Sequence, residues 1–292
     1  MSNCIVCGTE IIRNERGECS YCAAEKAAAK ELMKQLNQPP ILTPETYFSP
    51  EAEAFYMGST QFKRFMECES QALAILRGQY VPEVSTALLV GSYVDAHFSG
   101  TLDIFKAQHP DIFKRDGSLK AEYEQANYII ARIEQDEAFM AALCGYSQVI
   151  MTGEIEGVPV KIKVDSMLPD RTVDLKIMRD FADVYDKEEG WQPWWKALRY
   201  DIQGAIYQEI RRQNDPSGRR LPFGTAGATK EKPEPDIGLF DFPQDVLSLA
   251  LEEVRANIVH FDSLKKGLYE PTGCGKCPWC RSQKKLEGWV AV

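Results

Sequence analysis

The chain has 292 residues, 44% hydrophobic and 26% charged, with a formal net charge of −9 at pH 7. That length holds one large or two small domains with a sizeable core, in the composition of a soluble globular chain. The negative balance excludes a protein coated in basic surface for nonspecific nucleic-acid binding, no apolar run approaches the roughly 20 residues of a membrane helix, and MSNCIVCGTE lacks the basic-then-apolar order of a signal peptide, so a cytoplasmic protein is expected.

Nine cysteines are too many to be incidental, and in a reducing cytosol close pairs are more often metal ligands than disulfides. Residues 1–22 hold Cys4-Ile-Val-Cys7 and Cys19-Ser-Tyr-Cys22, with Gly8 and Gly17 to turn the backbone beside them. Four thiolates so spaced suit one tetrahedral Zn²⁺ and resemble a short zinc ribbon, in which the ion supplies folding energy that so short a segment cannot draw from a core. Free or redox cysteines are the alternative. Residues 23–38 are rich in helix formers and end at Pro39-Pro40; residues 39–58 read as a linker. The expected domains are therefore 1–38, a linker 39–58, and 59–292.

Residues 59–77 carry apolar positions at helical spacing, with Ser59 or Thr60 as cap and Cys68 inside. Residues 84–105 form a second helix that brings Asp95 and His97 near each other. Two positions along a helix are roughly 200° apart, so the two do not share a metal. Asp95 offers the oxygen that hard cations prefer, and His97 is expected packed or at the surface. Residues 118–143 form a third helix, and Cys144 after it fits no pattern. Strands are expected at 146–155, 157–166 and 171–178. The last two make a hairpin: VPVKIKV runs to Asp165, MLPDRT turns, and TVDLK sets Asp174 two residues before Lys176. Alternation puts Asp174 and Lys176 on one face, turns Leu175 away, and leaves Asp165 within reach. Two carboxylates and a lysine at a sheet edge suit a hard divalent cation and an activated water; solvated charges on a surface hairpin are the plainer alternative. Glu154 is expected as a solvated strand-end residue.

After Pro193, residues 191–213 read as a helix with Gln203 and Tyr207 four apart, on one face and about 6 Å apart along the axis. Trp191, Trp194 and Trp195 are expected to pack rather than to stack bases. Two strands follow around PFGTAGAT and DIGLFDF, then a helix over 243–266 that includes His260. Cys274, Cys277 and Cys280 then stand at tight spacing without a fourth ligand nearby, which Cys68 can supply.

The order Asp165, Asp174-Leu175-Lys176 and Gln203-x-x-x-Tyr207 resembles the PD-(D/E)XK nuclease superfamily, nearest to the RecE-like (exonuclease VIII type) proteins of phages and prophages, over about 59–285. The resemblance implies an α/β fold, a restriction-endonuclease-like central mixed sheet flanked by helices. It implies Mg²⁺ or Mn²⁺ held by Asp95, Asp165, Asp174 and the Leu175 carbonyl, with Lys176 orienting water and Gln203 and Tyr207 serving the strand. RecB-type relatives carry G-x-x-x-H on the helix before the sheet; Gly91 matches, but Asp95 stands where the histidine would be. Cys68 with Cys274, Cys277 and Cys280 resembles the iron–sulfur staple of AddB-type nucleases, although the last two cysteines are closer here. A [4Fe–4S] cluster is expected, with Zn²⁺ as alternative. The implied activity is an exonuclease acting on duplex DNA ends in phage or prophage recombination, leaving single strands for an annealing protein, as a ring or a monomer. Two other classes compete: a DNA-binding protein on a dead nuclease fold, and a protein adaptor held by two metal staples.

Overall fold

Met57 is wholly buried and bridges in parallel to Val160. Residues before the expected nuclease domain are thus built into it. The structure, a computed structural model, describes residues 2–3, 10–11, 22–26, 39–286 and 288–289. It divides into two compact units, Met1–Ile41 and Leu42–Val292. In the first, Ser2–Asn3 pairs antiparallel with Glu10–Ile11, and Cys22 is buried at the start of a helical stretch over 22–26. Cys4, Cys7 and Cys19 of the expected ribbon, and most of the helix expected after it, lie outside the described residues.

In the second unit, residues 42–58, expected as a linker, include helix α1 (Pro50–Phe55), capped by the Ser49 side chain. Met57 exchanges backbone hydrogen bonds with Pro159 and Lys161. The signal for this was in the sequence: Ser49-Pro50 is a helix start, and Tyr47, Tyr56 and Met57 are too apolar for a linker.

Five strands form the central sheet in the order β1 (Tyr146–Ile155), β2 (Val158–Met167), β3 (Thr172–Met178), β4 (Phe223–Thr229) and β5 (Ile237–Asp241). All pairings are antiparallel except β3 with β4. Parallel neighbours need a long crossover. It is made by helix α7 (Tyr200–Asn214), and every residue of β4 is buried.

Helices cover both faces. On one face Val160, Ile162 and Val164 pack with Phe62 and Phe65 of α2 (Ser59–Glu67), Leu73 of α3 (Glu69–Leu76), Ile202 and Ile206 of α7, and Val254 and Ile258 of α8 (Gln244–Lys265). On the other, Val173, Leu175, Ala226 and Ala228 pack with Val90 and Val94 of α4 (Thr86–Phe98), Ile129 and Ile133 of α5 (Ala121–Glu134), and Phe139 of α6 (Glu137–Leu143). Each Val, Leu, Ile or Phe among them stabilises by about 1.5–3 kcal/mol when fully buried, so these two cores hold the acidic hairpin in place. The fold is the expected mixed α/β sheet flanked by helices.

Several helices are shorter than periodicity predicts. The first breaks at Cys68, whose φ of −167° is extended. The third breaks where the Asp136 side chain caps α6 through the Phe139 amide. The helix expected after Pro193 does start there, as one turn over Trp194–Ala197, but breaks at Leu198-Arg199, where Arg199 has φ 52°, and resumes at Tyr200.

Gly204 of α7 faces β4. A Cβ there would lie 2.6 Å from the Phe223 ring and 2.9 Å from Leu247. We expect Gly204→Ala to lose about 1–3 kcal/mol by overpacking, more than the roughly 1 kcal/mol of helix propensity it gains. Urea unfolding measures this; unchanged stability would mean that the Phe223 ring yields freely.

Candidate active site

The β2–β3 ladder is only two pairs long, Ser166 with Val173 and Met167 with Thr172. Beyond them the strands part, and Asp165 and Asp174 stand where the gap opens. Side-chain alternation also breaks there. Val160, Ile162 and Val164 belong to one core, and Met167 packs against that same core, which strict alternation forbids. The break coincides with Gln148 of β1, a non-glycine residue at φ 54°, opposite Asp165 at the one position where the β1–β2 register skips a pair.

Five elements supply the site. Asp174 and Lys176 come from β3, with Lys176 Nζ 2.6 Å from Asp174 Oδ2. The other Asp174 oxygen accepts a hydrogen bond from Gln203 Nε2 of α7 at 2.7 Å. Asp165 of β2 accepts one from the Leu175 amide at 2.9 Å. Asp95 comes from α4, and Gln148 Nε2 donates to both Asp95 and Asp165, at 3.4 and 3.3 Å. Tyr207 is buried and donates to the Lys163 carbonyl at 2.9 Å, so its hydroxyl braces β2. Asp95, Asp165, Asp174, Leu175, Lys176, Gln203 and Tyr207 all line one cleft of about 1000 Å³.

Other candidates fall away from it. His97 pairs with Glu134 and His260 with Glu69, each at 2.8 Å. The Glu154 backbone is clamped by the Gln213 side chain. Trp194 is buried as expected, but Trp191 is 69% exposed, on a small hairpin (Val184–Asp186 with Gly190–Gln192) beside Tyr185.

Three acids gathered in one cleft repel one another, and burial costs them hydration. Burial first, then Asp174 and Asp95, push Asp165 up to about 8, and burial also raises Asp95. Burial opposes the charge on Lys176, but Asp174 and Asp165 outweigh it and hold the lysine above its ordinary range. Asp174 Oδ2 is buried and, despite its contact with Lys176, accepts no hydrogen bond of good geometry. Converging carboxylate oxygens with such an unsatisfied lone pair fit a hard divalent cation.

The cleft reverses the charge of the chain. Lys63, Arg64, Arg77, Lys161, Lys163 and Lys176 line it against Glu53, Asp95, Asp165 and Asp174. Lys63 and Lys176 lie 5.2 and 5.3 Å from the centre of the Tyr200 ring. No sequence pattern singled out Gln148, Lys63 or Tyr200: their roles depend on strands and helices distant in the chain.

Residues 58–283 match the family model described as a PDDEXK-like domain of unknown function (DUF3799). The chain belongs to this PDDEXK-like family. A crystal structure of a candidate exonuclease from Eubacterium rectale is 44% identical, with a TM-score of 0.82 over 86% of this chain and 97% of that one. A more distant structure, SSO0001, reaches only 11% identity and a TM-score of 0.26, over 68% of this chain and 84% of that one. No curated protein matches the chain.

The PDDEXK-like domain carries a second constellation. The sulfurs of Cys68, Cys274, Cys277 and Cys280 all lie within 4.8 Å of one another. Cys68, at the joint of α2 and α3, accepts from the amides of Gln71 and Cys274. The Cys277 amide donates to Cys274, and that of Cys280 to Cys277. Such amides favour thiolate, and those of Cys277 and Lys276 bring Cys274 down to about 6. Burial pushes Cys277 up to about 12 and raises Cys68. Four converging sulfurs fit a thiophilic metal. No helix among the described residues is long and apolar enough to cross a membrane.

Proposed function

We propose that this PDDEXK-like nuclease is a divalent-metal-dependent exonuclease acting on the ends of duplex DNA. The observation that carries the reading is the convergence of Asp95, Asp165 and Asp174 with Lys176 at the parting of β2 and β3, inside a cleft whose basic residues outnumber its acids. A dead fold would have no need to keep the buried Asp174, its paired Lys176 and the half-buried Asp95 and Asp165 together.

Asp95, Asp165, Asp174 and the Leu175 carbonyl would hold Mg²⁺ or Mn²⁺, which when bound polarises the scissile phosphate and lowers the pKa of a water. Lys176 supplies fixed positive charge where negative charge grows in the transition state. Gln203 and the Leu175 amide hold Asp174 and Asp165 in orientation, and Gln148 keeps Asp95 beside Asp165. Tyr207 fixes the backbone of β2 at Lys163. Resection of one strand would leave single-stranded DNA suited to an annealing partner in phage or prophage recombination.

At the cysteine quartet the spacing favours Zn²⁺ over a [4Fe–4S] cluster. A zinc tetrahedron with bonds of about 2.3 Å has edges near 3.8 Å. The Cys68 sulfur lies 3.5 Å from that of Cys280 and 3.8 Å from that of Cys277. A four-iron cluster binds each cysteine to a different iron and spreads the sulfurs further.

The test is digestion of end-labelled linear duplex DNA with Mg²⁺, beside a covalently closed circle. Wild-type protein should degrade only the linear molecule, and Asp174→Ala should degrade neither. Cleavage of the circle would make the enzyme an endonuclease, and an Asp174→Ala variant as active as wild type would move the site elsewhere.

A further inference from the structure

The cleft has one wall outside the matched family region, which begins at residue 58. That wall is the turn at Tyr47-Phe48. It is tightly held: the Tyr47 amide donates to the Thr43 carbonyl at 2.9 Å, and the buried ammonium of Lys161 donates to the Tyr47 carbonyl and pairs with Glu53 at 2.9 Å. The Tyr47 ring is itself buried and lies 4.5 Å from the Lys161 ammonium. Phe48 is different. It lines the cleft with 68% of its surface exposed, edge-on to Tyr47 at 4.8 Å, with the Lys163 ammonium 5.2 Å from its ring centre.

An exposed phenylalanine on a mobile surface needs no explanation. One on a turn anchored by the buried Tyr47, beside a lysine and in the same cleft as the three acids, is a ready surface for a flat apolar group joined to an anion. A nucleobase with its phosphate is such a group, and aromatic side chains bind bases this way without sequence preference. Lys163 also ties the turn to the chemistry, because its carbonyl holds Tyr207, one helical turn from Gln203.

We propose that Phe48 is the stacking platform for an unpaired base of the DNA strand threaded through the cleft, with Lys163 on the adjoining phosphate. The substrate in the cleft is then single-stranded locally, even when the DNA outside is duplex. This rests on the nuclease reading of the same site.

The experiment measures binding in Ca²⁺, with metal-loaded full-length protein, of a labelled single-stranded oligonucleotide and of an abasic strand of equal length. Phe48→Leu keeps an apolar side chain but removes the ring; Phe48→Trp restores one. For Phe48→Leu we expect about tenfold weaker binding of the base-bearing strand, unchanged binding of the abasic strand, and recovery in Phe48→Trp. Equal loss on both strands, or no loss on either, overturns the proposal, with melting curves verifying that the variants fold. Cleavage by wild type in Mg²⁺ is scored separately: its absence counts against the nuclease and leaves the binding comparison to judge Phe48.

Discussion

Asp165→Asn should abolish hydrolysis and, in the same protein, raise the melting temperature of the metal-free form. The two effects have one cause. Burial and the neighbouring Asp174 and Asp95 hold the Asp165 carboxyl up to about 8, against an ordinary value near 4. Below pH 4 the group is protonated whether the chain is folded or not, and its desolvation takes nothing from stability. Between pH 4 and 8 the unfolded chain sheds the proton while the folded chain keeps it, so metal-free stability falls as pH rises. Above pH 8 the full penalty, of the order of a few kcal/mol, is present. Asparagine can still accept the Leu175 amide but never has to ionise. The variant should therefore gain little at pH 4 and most at pH 8, read by thermal melts in EDTA. Mg²⁺ should stabilise wild type increasingly as pH rises toward 8, because binding displaces the proton, and should hardly stabilise the variant. Cleavage should drop by about 10³-fold or more, since a metal ligand contributes several kcal/mol in the transition state. A variant that melts lower than wild type at pH 8 would show that Asp165 is not under the strain described here.

Cys68→Ser should have the largest effect on stability. Cys68 joins α2 to α3 and meets three cysteines more than 200 residues later, Cys280 at a separation of 212. A shared metal would convert that separation into a closed staple. Hydrogen bonds that bypass the sulfur remain, from the Thr272 amide to Glu69 at 2.8 Å and from the Trp279 indole to Ser70 at 3.0 Å, so the C-terminal segment still has a place to dock. We expect loss of the metal bound at the quartet and a fall in melting temperature of roughly 10 °C or more. Elemental analysis and melts with and without a strong chelator make the comparison. Chelator should bring wild type down toward the variant and move the variant's nuclease domain little. Iron with sulfide in the purified wild type, in place of zinc, would reverse the assignment made from the sulfur spacing. Because α2 also carries Lys63 into the cleft, the variant should bind DNA more weakly as well.

The acidic hairpin was legible in the sequence, since a β-branched run into Asp165, a Pro-Asp turn and Asp174-x-Lys176 are local patterns that strand alternation and turn preference interpret directly. The sequence also determined that Gln203 and Tyr207 share a helix face, because i and i+4 always do, and it left three late cysteines one ligand short, which pointed back to Cys68. Tertiary structure alone decided the rest. Whether Asp165 faces Asp174 depends on how far β2 and β3 stay paired and on the left-handed backbone of Gln148, and neither is a property of the hairpin's own residues. The helices broke at Cys68, Asp136 and Arg199 because capping and contacts across the fold overrode a continuous apolar period. The helix start at Ser49-Pro50 within residues 42–58 was legible, but the anchors of that stretch, Lys161 and Pro159, lie about a hundred positions away, and only the folded chain turns it into a wall of the cleft. The charge of the cleft is likewise a product of folding, which gathers six basic side chains from distant segments into one cleft of a chain that is acidic as a whole.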